Sequence, residues 1–182
     1  MRRRVFIFDT GSCFGCLGCV AACANVNGTG SDLRWRSLHK LPPRDGDHRT
    51  QYLSLSCNHC ENAPCVRACP TEALEIREED GVVLHRVERC VGCRYCQMAC
   101  PYEAIRYEAA KGVIAKCHFC FDRLEIGQEP ACVATCFSGA LSQCVVASSD
   151  EPDDWHKEVS GFTHHPHAKP AIRFVTRSEG EE

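Results

Sequence analysis

Apolar residues in this chain come in short runs, and four of these, at residues 4–8, 51–56, 82–85 and 113–116, have the apolar, β-branched content of strands. A last strand is predicted at 171–176, ahead of an acidic, frayed tail at 179–182. No run approaches the roughly 18 to 20 apolar residues of a membrane span. Residues 1–4 are basic, but Val5 to Phe8 supply too short an apolar stretch before Asp9 for a signal peptide, so a soluble or peripheral protein without one is expected.

Three of the pattern changes repeat. Cys69-Pro70-Thr71-Glu72-Ala73-Leu74 matches Cys100-Pro101-Tyr102-Glu103-Ala104-Ile105, and Cys136-Phe137-Ser138-Gly139-Ala140-Leu141 is a weaker third copy. In each, a short helix bearing the Cys is expected to turn into an apolar strand, at 73–77, 104–107 and 140–146. The proline cannot continue a helix and so supplies the turn. Thiol block, short helix and short strand resemble the building unit of bacterial ferredoxins. Two stretches break the pattern. Residues 26–50 hold Gly28, Gly30, Pro42, Pro43 and Gly46 with many charges, and 148–169 hold an acidic stretch and a His-rich patch. Both read as long surface excursions, and loops of that length often carry contacts, here to partner subunits.

Composition sharpens this. Seventeen of 182 residues are Cys, a density of disulfide scaffolds or metal proteins. Disulfides need an oxidising compartment and even pairing, and the count is odd. A conventional core is a poor match for such a chain, so bonds to metal are expected to replace part of it and the metal-free chain to fold poorly. The formal charge of −3 offers no basic footprint for nucleic acid. Four thiolate-bound clusters of about −2 each would bring it to roughly −11.

Sixteen cysteines fall into four blocks: Cys13, Cys16, Cys19, Cys23; Cys57, Cys60, Cys65, Cys69; Cys90, Cys93, Cys96, Cys100; and Cys117, Cys120, Cys132, Cys136. The third, C-x2-C-x2-C-x3-C-P, has the spacing that holds cubane clusters. Soft thiolate suits iron–sulfur clusters, zinc or copper(I). Block four alone could pass for a zinc ribbon, but in blocks one and three a further Cys has no tetrahedral use. Three sulfurs of a block wrap one cubane, and the fourth reaches the other cluster of a pair. That rule assigns Cys57, Cys60, Cys65 and Cys100 to one cluster and Cys90, Cys93, Cys96 and Cys69 to a second. By elimination, Cys13, Cys16 and Cys19 pair with Cys136, and Cys117, Cys120 and Cys132 with Cys23. The expected fold is α+β: an outer ferredoxin-like domain, residues 1–49 plus 110–182, with a second, residues 50–109, inserted in it. The expected cofactors are four [4Fe-4S] clusters.

The resemblance is more specific in Cys57-Asn58-His59-Cys60-Glu61-Asn62-Ala63-Pro64-Cys65, in Cys90-Val91-Gly92-Cys93-Arg94-Tyr95-Cys96-Gln97-Met98-Ala99-Cys100-Pro101-Tyr102, in Lys116-Cys117-His118-Phe119-Cys120-Phe121-Asp122-Arg123-Leu124 and in Gly127-Gln128-Glu129-Pro130-Ala131-Cys132-Val133-Ala134-Thr135-Cys136. Over residues 4–145 the chain resembles the four-cluster electron-transfer subunits of molybdopterin oxidoreductases, of the dimethyl sulfoxide and polysulfide reductase type. This implies a relay between a large molybdenum- or tungsten-pterin catalytic subunit and a redox partner, often a quinol-linked membrane subunit. The first-and-fourth-block domain would face the catalytic subunit, the other domain the membrane side. Such subunits can cross the membrane folded with a partner, so the side is open. Phe137 departs from the family's proline after the last Cys.

The alternatives are an electron-transfer subunit of a soluble cytoplasmic formate dehydrogenase, hydrogenase or tungsten aldehyde oxidoreductase, a free-standing polyferredoxin, and a structural zinc protein. No Ser/His/Asp constellation, P-loop or GxGxxG appears, and no substrate site is expected in this chain. Cys144 reads as a buried spectator on a strand. His59 and His118 read as neighbours of the ligands or surface residues, the His164, His165 and His167 patch as solvated, and Tyr95 and Tyr102 as packing. Arg67, Arg94 and Arg123 sit beside ligands, where a positive charge would favour a reduced cluster or be ordinary surface charge.

Overall fold

The computed structural model describes residues 2–30, 33–42 and 50–176. Its strands are β1 (Arg2–Asp9), β2 (Ser37–Lys40), β3 (Tyr52–Leu55), β4 (Leu74–Ile76), β5 (Val83–His85), β6 (Arg106–Glu108), β7 (Val113–Ala115), β8 (Leu141–Ala147) and β9 (Ile172–Val175). Its helices are α1 (Gly18–Asn27), α2 (Pro64–Arg67), α3 (Tyr95–Ala99), α4 (Phe121–Glu125) and α5 (Ala131–Ala134). All eight strands expected from the apolar runs and repeats are present, shifted at their ends by one or two residues. The acidic tail at 179–182 lies outside the described residues.

Strand β1 is central because Val5, Phe6 and Phe8 bury against the rest of the chain. It pairs antiparallel with β8, from Arg2↔Ala147 to Phe8↔Leu141, and parallel with β9, from Phe6↔Ile172 to Asp9↔Val175. The other strands form two-stranded hairpins, β2–β3, β4–β5 and β6–β7. The last two follow the second and third thiol blocks, which is where the repeat predicts them. In all three copies of the repeat the third residue after the last Cys takes a left-handed backbone, at Glu72 (φ 52°), Glu103 (φ 49°) and Gly139 (φ 69°). That turn swings the chain from thiol to strand.

One expectation needs correction. Cys69, Cys100 and Cys136 do not lie on the short helices but just past their ends. A residue before proline is disfavoured in the helical region, and Cys100, before Pro101, is extended at φ −81°, ψ 112°. Cys23 alone of the four closing thiols sits inside a helix, α1.

The long excursions are also less superficial than their composition suggests. In the first, β2 pairs with β3 from Ser37↔Leu55 to Lys40↔Tyr52, and Arg36 and Leu41 are buried. In the second, Phe162 is buried, stacks on Tyr102 with centroids 5.2 Å apart and meets Phe174. Its return segment braces the second thiol block: Glu61 N–H donates to Lys169 O, Asn62 N–H to Ala168 O, and Ala171 N–H to Asn58 O. Scattered apolar residues in polar sequence carry no periodicity, so their burial was not legible.

One core holds Phe6, Phe8, Phe119, Leu141 and Phe174 together with Leu53, Cys57, Val82 and Leu84. A second gathers Cys60, Cys65, Leu74, Val83, Cys96, Ile105 and Ile114. Residues from 50–109 and from the flanking segments therefore share one interior. The Phe6 and Phe119 rings stack with centroids 3.9 Å apart, and Arg4 pairs with Asp80 at 3.1 Å.

Truncating a buried aromatic costs about 3 kcal/mol or more. Phe162→Ala is therefore expected to lower the guanidinium midpoint of the iron-loaded protein. An unchanged midpoint would return that loop to the surface.

Candidate metal centre

The first C-x2-C loop of each block has the same backbone device. The residue just before the second thiol is left-handed: Gly15 (φ 83°), His59 (φ 44°), Gly92 (φ 67°) and Phe119 (φ 63°). Leu17, Arg94 and Cys120, which cap α1, α3 and α4, are left-handed too. Such turns direct successive N–H groups into one concavity, a cradle for negative charge. Glycine takes the conformation freely. At Gly92 it is also a matter of space, since a Cβ would come within 2.1 Å of Gly112 O. His59 and Phe119 are non-glycine residues held there by near-complete burial, at 1% and 0% exposed.

The loops bring thiols together from distant parts of the chain. Cys13 faces Cys19, Cys136 and Cys16, and burial followed by these neighbours keeps it above its ordinary pKa, against a hydrogen bond from Gly15. Helix α1 packs against α5, so Cys23 faces Cys132 and Cys120, and burial pushes it up to about 11. Cys117, buried with Cys23 and Cys132 nearby, lies far above its ordinary value. In the third group Cys60 faces Cys57, Cys100 and Cys65 and is likewise raised by burial, while Cys65 is pushed up to about 12. In the fourth, Cys69, Cys90, Cys93 and Cys96 line a single cavity, and burial with these neighbours pushes Cys96 up to about 11. Cys57 is also a neighbour of Cys117, so the second and third groups adjoin.

Backbone N–H groups at the entry to the strands that follow reach the thiols just past α2 and α5. Ala73 N–H donates to Cys69 Sγ at 3.2 Å and Leu141 N–H to Cys136 Sγ at 3.2 Å. Burial raises Cys69, but donors from Thr71, Ala73 and Leu74 outweigh it and hold this thiol below its ordinary value.

The groups differ in access. Cys23, Cys117, Cys120 and Cys132 are all buried, as are Cys57, Cys60 and Cys65. Cys16 in the first group and Cys93 in the fourth are exposed. Beside Cys16 stand Phe14, Leu17 and Phe137, all more than half exposed, with Phe14 and Phe137 in ring contact. Beside Cys93 stand Val91, Tyr95 and Met98, also exposed. Tyr95 is thus not a packing residue, whereas Tyr102 is: its ring is stacked and its hydroxyl accepts from His165 N–H at 3.1 Å.

The remaining residues sort as follows. His59 is not at the surface. Its Nδ1 accepts the Val83 N–H at 3.0 Å, and burial keeps the ring neutral. His118 Nδ1 accepts from Phe121 N–H, which leaves Nε2 to donate to Asn27 Oδ1 at 2.9 Å; Asn27 in turn donates to Cys23 O at 2.8 Å. Cys144 is half-buried opposite Val5 on β8. Arg67 and Arg94 are exposed and Arg123 half-exposed. Arg3, 7% exposed, faces Cys60 with Glu61 nearby, and the cations buried most deeply near sulfur are Arg36 and Lys116, each 2% exposed. Reading the chain alone missed both, because Arg36 lies in a stretch with loop composition and Lys116 looks like any strand-end lysine.

A thiol buried in this way becomes anionic only beside compensating positive charge. Among the described residues no three His, Cys, Asp or Glu side chains converge closely enough to hold a single metal ion. The donors are all soft sulfur, yet spread too widely for tetrahedral zinc, and so they fit a larger thiophilic group such as a cubane. Ferredoxin-type loops with such donors define an iron–sulfur protein of the 4Fe-4S class.

Comparison with known proteins agrees. Residues 48–145 match the family described as the 4Fe-4S dicluster domain. The chain is 37% identical over 151 residues to one chain of the anaerobic dimethyl sulfoxide reductase of Haemophilus influenzae, covering 78% of this chain and 73% of that one. It is 40% identical over 141 residues to the thiosulfate reductase electron transfer subunit of Salmonella typhi, covering 75% and 73%. With one of the tetrathionate reductase subunits of Salmonella typhimurium it shares 38% identity over 165 residues, covering 89% and 63%. The chain belongs to the 4Fe-4S dicluster family, together with the iron–sulfur subunits of molybdopterin oxidoreductases.

Because a Cβ at Gly92 meets backbone and not a flexible side chain, Gly92→Ala is expected to destabilise the protein by more than about 1 kcal/mol. Gly127→Ala, also left-handed but in open space, should cost less. Parallel thermal melts of the two variants check the order.

Proposed function

We propose that this chain is the electron-transfer subunit of a molybdenum- or tungsten-pterin oxidoreductase. Its partners would be the catalytic subunit and a quinol-linked membrane subunit or other redox protein. In this reading sixteen cysteines hold four [4Fe-4S] clusters in crossed sets: Cys13, Cys16, Cys19 and Cys136; Cys117, Cys120, Cys132 and Cys23; Cys57, Cys60, Cys65 and Cys100; Cys90, Cys93, Cys96 and Cys69. Bound there, the clusters supply one-electron chemistry.

The observation that carries the reading is the graded burial of the thiols. The second group is buried throughout and the adjoining third in all but half-buried Cys100, while the first and fourth each expose one thiol beside an apolar patch. A wire needs that arrangement: an insulated middle and two ends that partners can approach. Phe14, Leu17 and Phe137 offer one docking face, assigned to the catalytic subunit, and Val91, Tyr95 and Met98 the other. The relatives' names support the role, since one is itself an electron transfer subunit and the others are components of reductases. The residues' own work is to hold sulfur, exclude water and aim N–H groups at the thiolates. The domain boundaries at residues 50 and 109 belong to the same proposal. No helix among the described residues is long and apolar enough to cross a membrane, which fits a peripheral subunit.

Anaerobically purified protein is expected to hold about sixteen iron. Cys69→Ser and Cys93→Ser should perturb the same electron paramagnetic resonance signal, and Cys100→Ser and Cys60→Ser a different one. If Cys69→Ser instead shares its effect with Cys60→Ser, the crossed sets are wrong. Zinc in place of iron would sink the electron-transfer role itself.

A further inference from the structure

Among the described residues, Arg36 and Lys116 are buried among the thiols without an acidic neighbour, whereas Arg3, which faces Cys60, has Glu61 and Asp80 near it. Arg36 precedes β2 and reaches inward. Its Nη1 donates to Ser54 Oγ at 3.0 Å and its Nη2 to Ser56 Oγ at 2.9 Å, and the guanidinium lies over the Phe6 ring, 4.7 Å from the centroid. Ser54 Oγ is itself 3.4 Å from Cys19 Sγ. Lys116 Nζ donates to Val83 O and to Cys117 O, the latter at 2.8 Å. Among the described residues neither has a carboxylate within ion-pair distance, whereas the buried Arg173 has Glu151.

Burying an unpaired charge costs several kcal/mol, so a permanently charged Arg36 needs negative charge nearby. The groups that face it are the thiols of Cys132, Cys117, Cys19 and Cys23; burial pulls the guanidinium down, but these more than offset it. Lys116, held on Val83 O, lies against the cluster that Val83 forms with Cys60 and Cys65, and there it opposes the effect of burial at Cys65 and Cys100. Arg36 thus faces chiefly the buried group of Cys23, Cys117, Cys120 and Cys132, with Cys19 beside it, and Lys116 that of Cys57, Cys60, Cys65 and Cys100. Arg67 and Arg94, beside ligands in sequence, are screened by solvent and are poor substitutes, while half-exposed Arg123 acts alongside Arg36 at Cys120.

Building on the four-cluster reading, we propose that Arg36 and Lys116 are the fixed counter-charges that set the reduction potentials of the two central sites. Arg36 acts on the site of Cys23, Cys117, Cys120 and Cys132, and Lys116 on that of Cys57, Cys60, Cys65 and Cys100. Reduction adds negative charge where burial most disfavours it. A nearby cation offsets that penalty and keeps the middle of the relay from becoming a barrier.

The test is a redox titration of the iron-loaded protein followed by electron paramagnetic resonance. Arg36→Gln and Lys116→Gln should each lower the midpoint of one signal, and not the same one. At the wild-type midpoint the reduced-to-oxidised ratio should fall about tenfold, which is about 59 mV for a one-electron couple. Arg36→Lys should restore most of the shift. Ser56→Asp, which neutralises the guanidinium without removing it, should imitate Arg36→Gln. Variants that keep their iron with every midpoint unmoved would overturn the proposal. So would loss of iron from Arg36→Gln, Arg36→Lys and Ser56→Asp alike, which would make Arg36 a folding residue. Wild-type protein lacking iron would instead count against the four-cluster reading.

Discussion

A thiol buried beside three others stays protonated unless positive charge lies among them, and this chain buries eight of its block cysteines. That electrostatic demand organises the rest. In the proposed sets each group takes three sulfurs from one block and a fourth from another, and so would tie together segments far apart in sequence. Cys23 meets block four across the packing of α1 on α5, and Cys69 and Cys100 exchange places between blocks two and three. The apolar core is correspondingly modest. Cysteines stand inside both hydrophobic clusters, alongside Phe6, Phe119 and Leu53 in one and Ile105 and Ile114 in the other.

Two kinds of positive potential answer the demand, and they act at different ranges. The left-handed residues at Gly15, His59, Gly92 and Phe119 shape backbone N–H cradles. These are local and repeated in the first loop of every block, although at His59 and Phe119 it is burial that holds the turn. Arg36 and Lys116 come from outside the loops, face mainly the inner groups, with Cys19 of the first also near Arg36, and depend on strands β2, β3 and β7 to place them. The outer groups have solvent instead, through exposed Cys16 and Cys93. Access and charge compensation therefore vary together along the molecule.

Much of this was legible in the order of residues. The repeats after Cys69, Cys100 and Cys136 located the strands that follow them, because the turn that presents a thiol also decides where the chain goes next. Gly15 and Gly92 carried a signal for two loop turns that went unread, since glycine is the residue that occupies φ > 0 without cost. His59 and Phe119 hold the same turn and gave no such signal; tertiary packing, not intrinsic preference, keeps them there. The excursions at 26–50 and 148–169 misled for a related reason. Their charged and glycine-rich composition describes most of their residues but not Arg36, Leu41 and Phe162, and it is those few that enter the interior.

The sequence by itself determined the chemistry of the protein: soft donors in blocks of ferredoxin spacing, strands placed by repeats, and a family membership carried by the cysteines and their immediate neighbours. These are local properties, set by residues a few positions apart. Only the tertiary structure decided which groups are shielded and which are open, which cations lie against sulfur, and that His59 is an interior residue. Burial and long-range charge depend on what distant segments pack together, and no spacing along the chain encodes that.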